Sequence, residues 1–143
     1  MPYTPMFEIF SAIESCEDDI EKVELLRKHD TPALRKLLRY MIDGRLQFVL
    51  KDCPSFKSKD IPGMERMLYN RVRLLYLFVK QKHDVDKKAL ERLLNDMLES
   101  IDYRDAEIVL QLLKKKLPKG LTKLNVTQAF PGILDEQIKE LSN

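Results

Sequence analysis

The chain has 143 residues, 44% hydrophobic and 34% charged, which describes one soluble globular domain with its own core and argues against a disordered tail. Its net charge is only +2, so the total says nothing about a polyanionic partner and only the placement of charge can. No run approaches the roughly 18 apolar residues of a membrane span, and MPYTPMFEIF lacks the basic region and apolar core of a secretory signal, which together predict a cytoplasmic protein without a membrane partner.

The apolar spacing is helical nearly throughout. Met6, Ile9, Phe10 and Ile13 form one stripe, and Ile20, Val23 and Leu26 form a second after the acidic Glu17-Asp18-Asp19. Thr31-Pro32 is an N-cap followed by proline at the first helical position. The helix it opens buries Leu34, Leu37, Leu38, Met41 and Ile42, and is expected to run past Gly44 towards Leu50. The stretch from Cys53 to Gly63 is a long loop rich in breakers. A helix on Met64, Met67, Leu68, Val72, Leu75 and Val79 follows, then one on Leu90, Leu93, Leu94, Met97 and Leu98. The next is expected from about Asp102 to Leu117, stopped by Pro118 and Gly120. Thr122 caps a short helix to Phe130, closed by Pro131-Gly132. No segment alternates with period two. The prediction is an all-α fold, one compact domain over residues 1–143 with about six to seven helices.

Chemistry-bearing clusters are absent from this pattern. His29 and His83 lie far apart with polar neighbours and no Cys/His cluster, so no metal is expected. Asp18-Asp19 and Asp84/Asp86 lack the spacing of a calcium loop, and four glycines make no phosphate-binding loop. Cys16 and Cys53 read as free thiols in a cytoplasmic setting, and no cofactor is implied.

Charge, by contrast, is strongly uneven. Residues 1–24 hold seven acids and one base. Residues 34–59 hold seven bases, Arg35, Lys36, Arg39, Arg45, Lys51, Lys57 and Lys59, against two acids, Asp43 and Asp52. Lys114, Lys115, Lys116, Lys119 and Lys123 crowd around the Pro118–Gly120 turn, with no acid between residues 112 and 130. Two basic zones suit two contacts on a polyanion. A helix starting at Thr122 would present the N–H groups of Lys123 to Asn125 to an anion, with Gly120 allowing close backbone approach. Equally, lysines suit a helix C-terminus electrostatically. Arg35 and Arg39, one turn apart and expected opposite the Leu34/Leu38 stripe, can straddle phosphates or simply face solvent. Leu37–Gly44 also echoes Leu112–Gly120 with one extra residue, each a basic helix end running into glycine.

The block TPALRKLLRYMIDGRLQFVLKDCP, followed by DAEIVLQLLKKKLPKGLTKLNVTQAFPGILDEQ, resembles in order and spacing the N-terminal DNA-binding domain of ATP-dependent DNA ligases of the tailed-phage type. Gly44-Arg45-Leu46-Gln47 matches the turn after the basic helix, and Gly120 with Phe130-Pro131-Gly132 matches the later helix–glycine turn–helix. Cys53 and Phe130 stand where those ligases tend to have tryptophan, and Pro118 precedes the glycine turn. The resemblance implies an all-helical module that grips duplex DNA, nicked or intact, across the minor groove through sugar–phosphate contacts.

The nucleotidyltransferase part is not in this chain. Its Lys-x-Asp-Gly-x-Arg nucleophile motif is not met either, because the one Asp-Gly, Asp43-Gly44, has Met41 at the lysine position. The expectation is therefore a non-catalytic, sequence-nonspecific duplex-binding protein, phage-encoded, acting in the cytoplasm of an infected bacterium. A replication or repair protein is a further candidate partner. Arg35, Arg39, Arg45 and Lys51 would form one half of a phosphate clamp. Lys114, Lys115, Lys116, Lys119, Gly120, Thr122 and Lys123 would form the other. The alternative is an interaction factor that uses a ligase-like scaffold to bind or inhibit a host or phage protein.

Overall fold

A computed structural model describes residues 3–81 and 84–135, so His83 lies outside the described residues. Helix α1 (Met6–Ser15) buries Met6, Ile9, Phe10 and Ile13, the 3–4 spacing of one helical face. Its N-cap, Pro5, offers no side-chain acceptor; instead the carboxylate of Asp105 accepts from the Phe7 N–H at 3.1 Å, capping the helix from 98 residues away. Asp18 caps α2 (Asp19–Lys28) by accepting from Ile20 N at 2.9 Å. Thr31 caps α3 (Pro32–Ile42) by accepting from Leu34 N at 3.1 Å, with Pro32 in the first turn as expected. From Leu37 to Ile42 every residue of α3 is buried, which makes its second half the centre of the core.

Helix α3 does not continue past Gly44. Asp43 turns extended at φ −83°, ψ 105°, because its carboxylate and its carbonyl are both engaged in contacts described below. The chain then crosses the core irregularly, making one isolated antiparallel bridge between Phe48 and Val79. The segment expected to be a single helix on Met64 to Val79 is instead a turn, a short α4 (Leu68–Arg71) and a 3₁₀ helix, Val72–Phe78. The reason lies in the spacing. Val72, Leu75 and Phe78 are three apart and all buried, and a 3₁₀ helix stacks i and i+3 on one side where an α-helix would splay them.

Helix α5 (Lys87–Glu99), capped by Asp86, buries Leu94, Met97 and Leu98. Leu93, expected in that stripe, is 49% exposed. Helix α6 (Tyr103–Leu113), capped by Asp102, packs against α1, α3 and α5. Helix α7 (Lys123–Ala129) carries the Thr122 cap and lies against α2. The described residues thus form an all-α, single compact domain of seven α-helices. None of its helices is long and apolar enough to cross a membrane. Cys16 and Cys53 are both free thiols.

Candidate nucleic-acid interface

The run Lys114-Lys115-Lys116 is three different positions. Helix α6 ends at Leu113, not at Leu117, and the end is closed by two hydrogen bonds. Lys115 N donates to Leu112 O at 2.9 Å and Lys116 N to Gln111 O at 3.0 Å, the paired pattern of a Schellman turn. That turn needs its middle residue in the left-handed region, and Lys115 sits there at φ 62°. Glycine would do so without strain; a lysine in this conformation costs about 1–2 kcal/mol.

What offsets that cost is the direction in which the turn aims the side chain. The Lys115 ammonium points inward, donating to the carbonyls of Tyr40, Asp43 (2.7 Å) and Leu46 (2.6 Å), with Phe48's ring centroid 5.7 Å away. A cation at the C-terminal carbonyls of α3 also complements that helix's dipole. Burial pushes the Lys115 amine down to about 8, against the opposing pull of Asp43, and nearby Lys51 adds to the fall. Lys115 is therefore a strut inside the fold, not a DNA contact. Replacing it with glycine separates the two effects: backbone strain is relieved, yet three charge-assisted hydrogen bonds are lost. The net expected result is destabilisation of about 2 kcal/mol in urea unfolding. Lys114→Ala and Lys116→Ala, both at exposed positions, should stay within about 0.5 kcal/mol of the parent.

The other zone is corrected more heavily. Arg39 is not opposite the apolar stripe but 8% exposed, its Nε 3.5 Å from the Asp43 carboxylate. Arg45 grips the same carboxylate with Nε and Nη2, both at 2.9 Å, and also donates to Leu134 O at 2.7 Å. Asp43, itself 2% exposed, is the hub that the sequence reading passed over. Burial works to raise its pKa, and the hydrogen bonds from Arg45, with that of Arg39, outweigh it and hold the group below the ordinary carboxylate range. Arg35 is half-exposed but forms a two-pronged pair with Asp30 at 2.6 and 2.7 Å, and its guanidinium lies 4.8 Å from the centre of the Phe130 ring. Arg35, Lys36 and Arg39 line one cleft of about 500 Å³ with Asp30 and Ile133. Lys51 is exposed.

The expected anion site at Thr122 is partly closed. Thr122 Oγ1 accepts from Asn125 N at 3.1 Å and Asn125 Oδ1 accepts from Thr122 N at 2.9 Å, so a capping box takes up one of the N–H groups from Lys123 to Asn125 and that of Thr122 itself. Gly120 has φ +84°, which a glycine alone adopts freely, but its open side is filled: a Cβ there would lie 3.3 Å from the Lys22 ammonium. Lys22, the one base of the acidic N-terminal stretch, donates to Gly120 O at 2.8 Å. No spacing rule marked it. Nor do the two basic helix ends match in conformation, since only Gly120 of the pair Gly44 and Gly120 has positive φ. They meet instead, through Lys115.

Four lysines of the second zone remain on the surface: Lys114, Lys116, Lys119 and Lys123. No hydrogen bond or ion pair engages their side chains among the described residues, and no group of three or more His, Cys, Asp or Glu residues able to hold a metal occurs there either. Residues 9–119 match a family of unknown function, DUF6433. The chain belongs to that family. The DUF6433 match runs from within α1 to Lys119, so it takes in the Asp43 hub, Lys115 and three of the four exposed lysines, while Gly120, Lys123 and α7 lie beyond it. Among curated proteins and among solved structures, none matches the chain.

Proposed function

We propose that this DUF6433 member binds duplex DNA without sequence preference, through its phosphates, and does so without catalysis. The observation that carries the reading is the sorting of the lysines. Lys114, Lys116, Lys119 and Lys123 stay exposed around one turn in a stretch, residues 112–130, that holds no acid. A solvated helix end placed for solubility alone would be expected to mix signs, as α5 does. Lys51 is likewise exposed and can add a fifth contact. The contact is therefore one patch rather than the two-sided clamp, because Arg39 and Arg45 are committed to Asp43 and Arg35 to Asp30. The resemblance to the ligase DNA-binding domain points the same way, and association with phage replication or repair follows from it as part of this proposal.

Fluorescence anisotropy with labelled duplexes of unrelated sequence tests it. All should bind alike, and a patch of four to five lysines predicts a log–log salt slope of roughly −4. Lys119→Ala with Lys123→Ala should reduce that slope by about 2 and weaken every sequence equally. Lys87→Ala with Lys88→Ala, at exposed positions on α5, should leave both unchanged. Absence of binding at low salt, or equal effects from both pairs, would sink the proposal.

A further inference from the structure

Helices α2 and α7 lie side by side, and α2 fastens α7 at both ends. Lys22 donates to Gly120 O ahead of α7, while Arg27 donates to Gln128 O at 2.8 Å and to Ala129 O at 3.5 Å at its far end. Lys22 and Arg27 are thus turned onto α7, Lys22 also lying 3.8 Å from the Asp19 carboxylate. The exposed residues from Asp18 to Glu24 include four acids, Asp18, Asp19, Glu21 and Glu24, and no base, while Lys28 stands at the far end of the helix.

Between the two helices runs a groove of about 840 Å³. Ile20 forms one apolar wall and Leu124 the other, 67% and 64% exposed, the two most exposed large apolar side chains among the described residues. Val23 lines the groove between them, and Asp19, Glu24 and Arg27 edge the α2 side, the Arg27 guanidinium already bound to α7 carbonyls and the two carboxylates left to a partner. Single exposed leucines need no explanation, but two facing each other over an apolar floor between moored helices form a ready seat. A channel between two helices takes a third, by the same ridge-and-groove packing that builds bundles.

We infer that the α2–α7 groove docks an amphipathic helix of a partner protein whose apolar stripe fits between Ile20 and Leu124 and whose flanking residues are basic. Charge selects this occupant. A second copy of the chain would bring the same acidic α2 against itself if it paired symmetrically, a like-charge contact. Duplex DNA is repelled by Asp19 and Glu24. Lysine or arginine flanks meet those carboxylates favourably and speed the encounter. The inference goes beyond the DNA-binding proposal and does not depend on it.

The test uses a labelled synthetic helix of leucine and lysine with leucines at i, i+3, i+4 and i+7. Its scrambled isomer and its leucine–glutamate counterpart serve as comparisons. The leucine–lysine helix should bind and shift the NMR signals of Ile20, Val23 and Leu124. Ile20→Ser with Leu124→Ser should weaken binding by roughly tenfold or more, since two exposed apolar anchors are lost while every charge stays. Asp19→Asn with Glu24→Gln should weaken it too and flatten its salt dependence. Duplex-DNA binding should be unchanged by the Ile20/Leu124 substitutions and should not weaken with the Asp19/Glu24 ones. Equal binding of the scrambled or glutamate peptide would overturn the inference, as would shifts centred on another face. So would a dimer dissolved by the Ile20/Leu124 substitutions in sedimentation, or DNA affinity lost with Leu124→Ser, since each names a different occupant.

Discussion

Replacing Asp43 with alanine should lower the unfolding free energy by about 3 kcal/mol, the usual cost of removing one partner from a buried ionic cluster. For a domain of this size that corresponds to a fall in Tm of about 10 °C. The change removes the acceptor for three Arg45 hydrogen bonds and the carboxylate facing the buried Arg39. Asp43→Asn keeps an acceptor for Arg45 N and should fall between the two. Asp96→Ala, at an exposed position on α5, should change stability by under about 0.5 kcal/mol. The pH dependence supplies a second check. Because the folded-state pKa of Asp43 is depressed, its contribution is complete above the unfolded value near 3.8 and is lost as pH falls through the folded value. The gap between wild type and Asp43→Ala should therefore close in acid. A gap that persists after protonation would mean that packing, not charge, holds the site.

Asp105 has the opposite sign. It is fully buried, one carboxylate oxygen accepts from Phe7 N, and the other, Oδ2, has no hydrogen-bond partner. Burial, reinforced by the Asp102 charge and opposed by the Phe7 N–H and Arg104, pushes it up to about 7. A raised folded-state pKa favours the folded state below the unfolded value, and the benefit is lost as pH rises through the folded one. Stability should therefore drop by roughly 2–4 kcal/mol between about pH 4 and pH 8. Asp105→Asn preserves the acceptor for Phe7 N and offers an N–H where Oδ2 lies unpaired. Urea unfolding of this variant at several pH values should show that slope largely removed, with the variant the more stable protein at pH 8. A slope that survives the substitution would assign the titration elsewhere.

Six helices were legible from caps, breakers and apolar spacing: Thr31 and Thr122 cap the helices expected of them, α6 starts beside Asp102, and the stripes of α1 and α3 are buried, while Ile20 of the α2 stripe is 67% exposed. Misreadings arose where side chains decide the backbone. Val72 and Leu75 fit an α-helical stripe ending on Val79, but with Phe78 they also fit three residues per turn, which is the spacing the chain adopts. Helix α6 stops four residues early because Lys115 takes a conformation that favours glycine, and lysine carries no mark of that choice. In the basic zones, counting charge could not separate guanidinium groups satisfied by Asp43 from exposed amines. One local clue existed: Asp43 lies four residues after Arg39 and two before Arg45, within reach of both. No spacing rule joins Lys22 to Gly120 or Asp105 to Phe7, each pair 98 residues apart.

The inward-turned ammonium at the end of α6 also bears on chemical labelling. Leu113 is followed by three identical residues, and only the second turns its amine into the fold. An acylating reagent should therefore modify Lys114 and Lys116 readily and reach Lys115 only when the turn opens, so that the middle lysine reports local unfolding at that end of the helix.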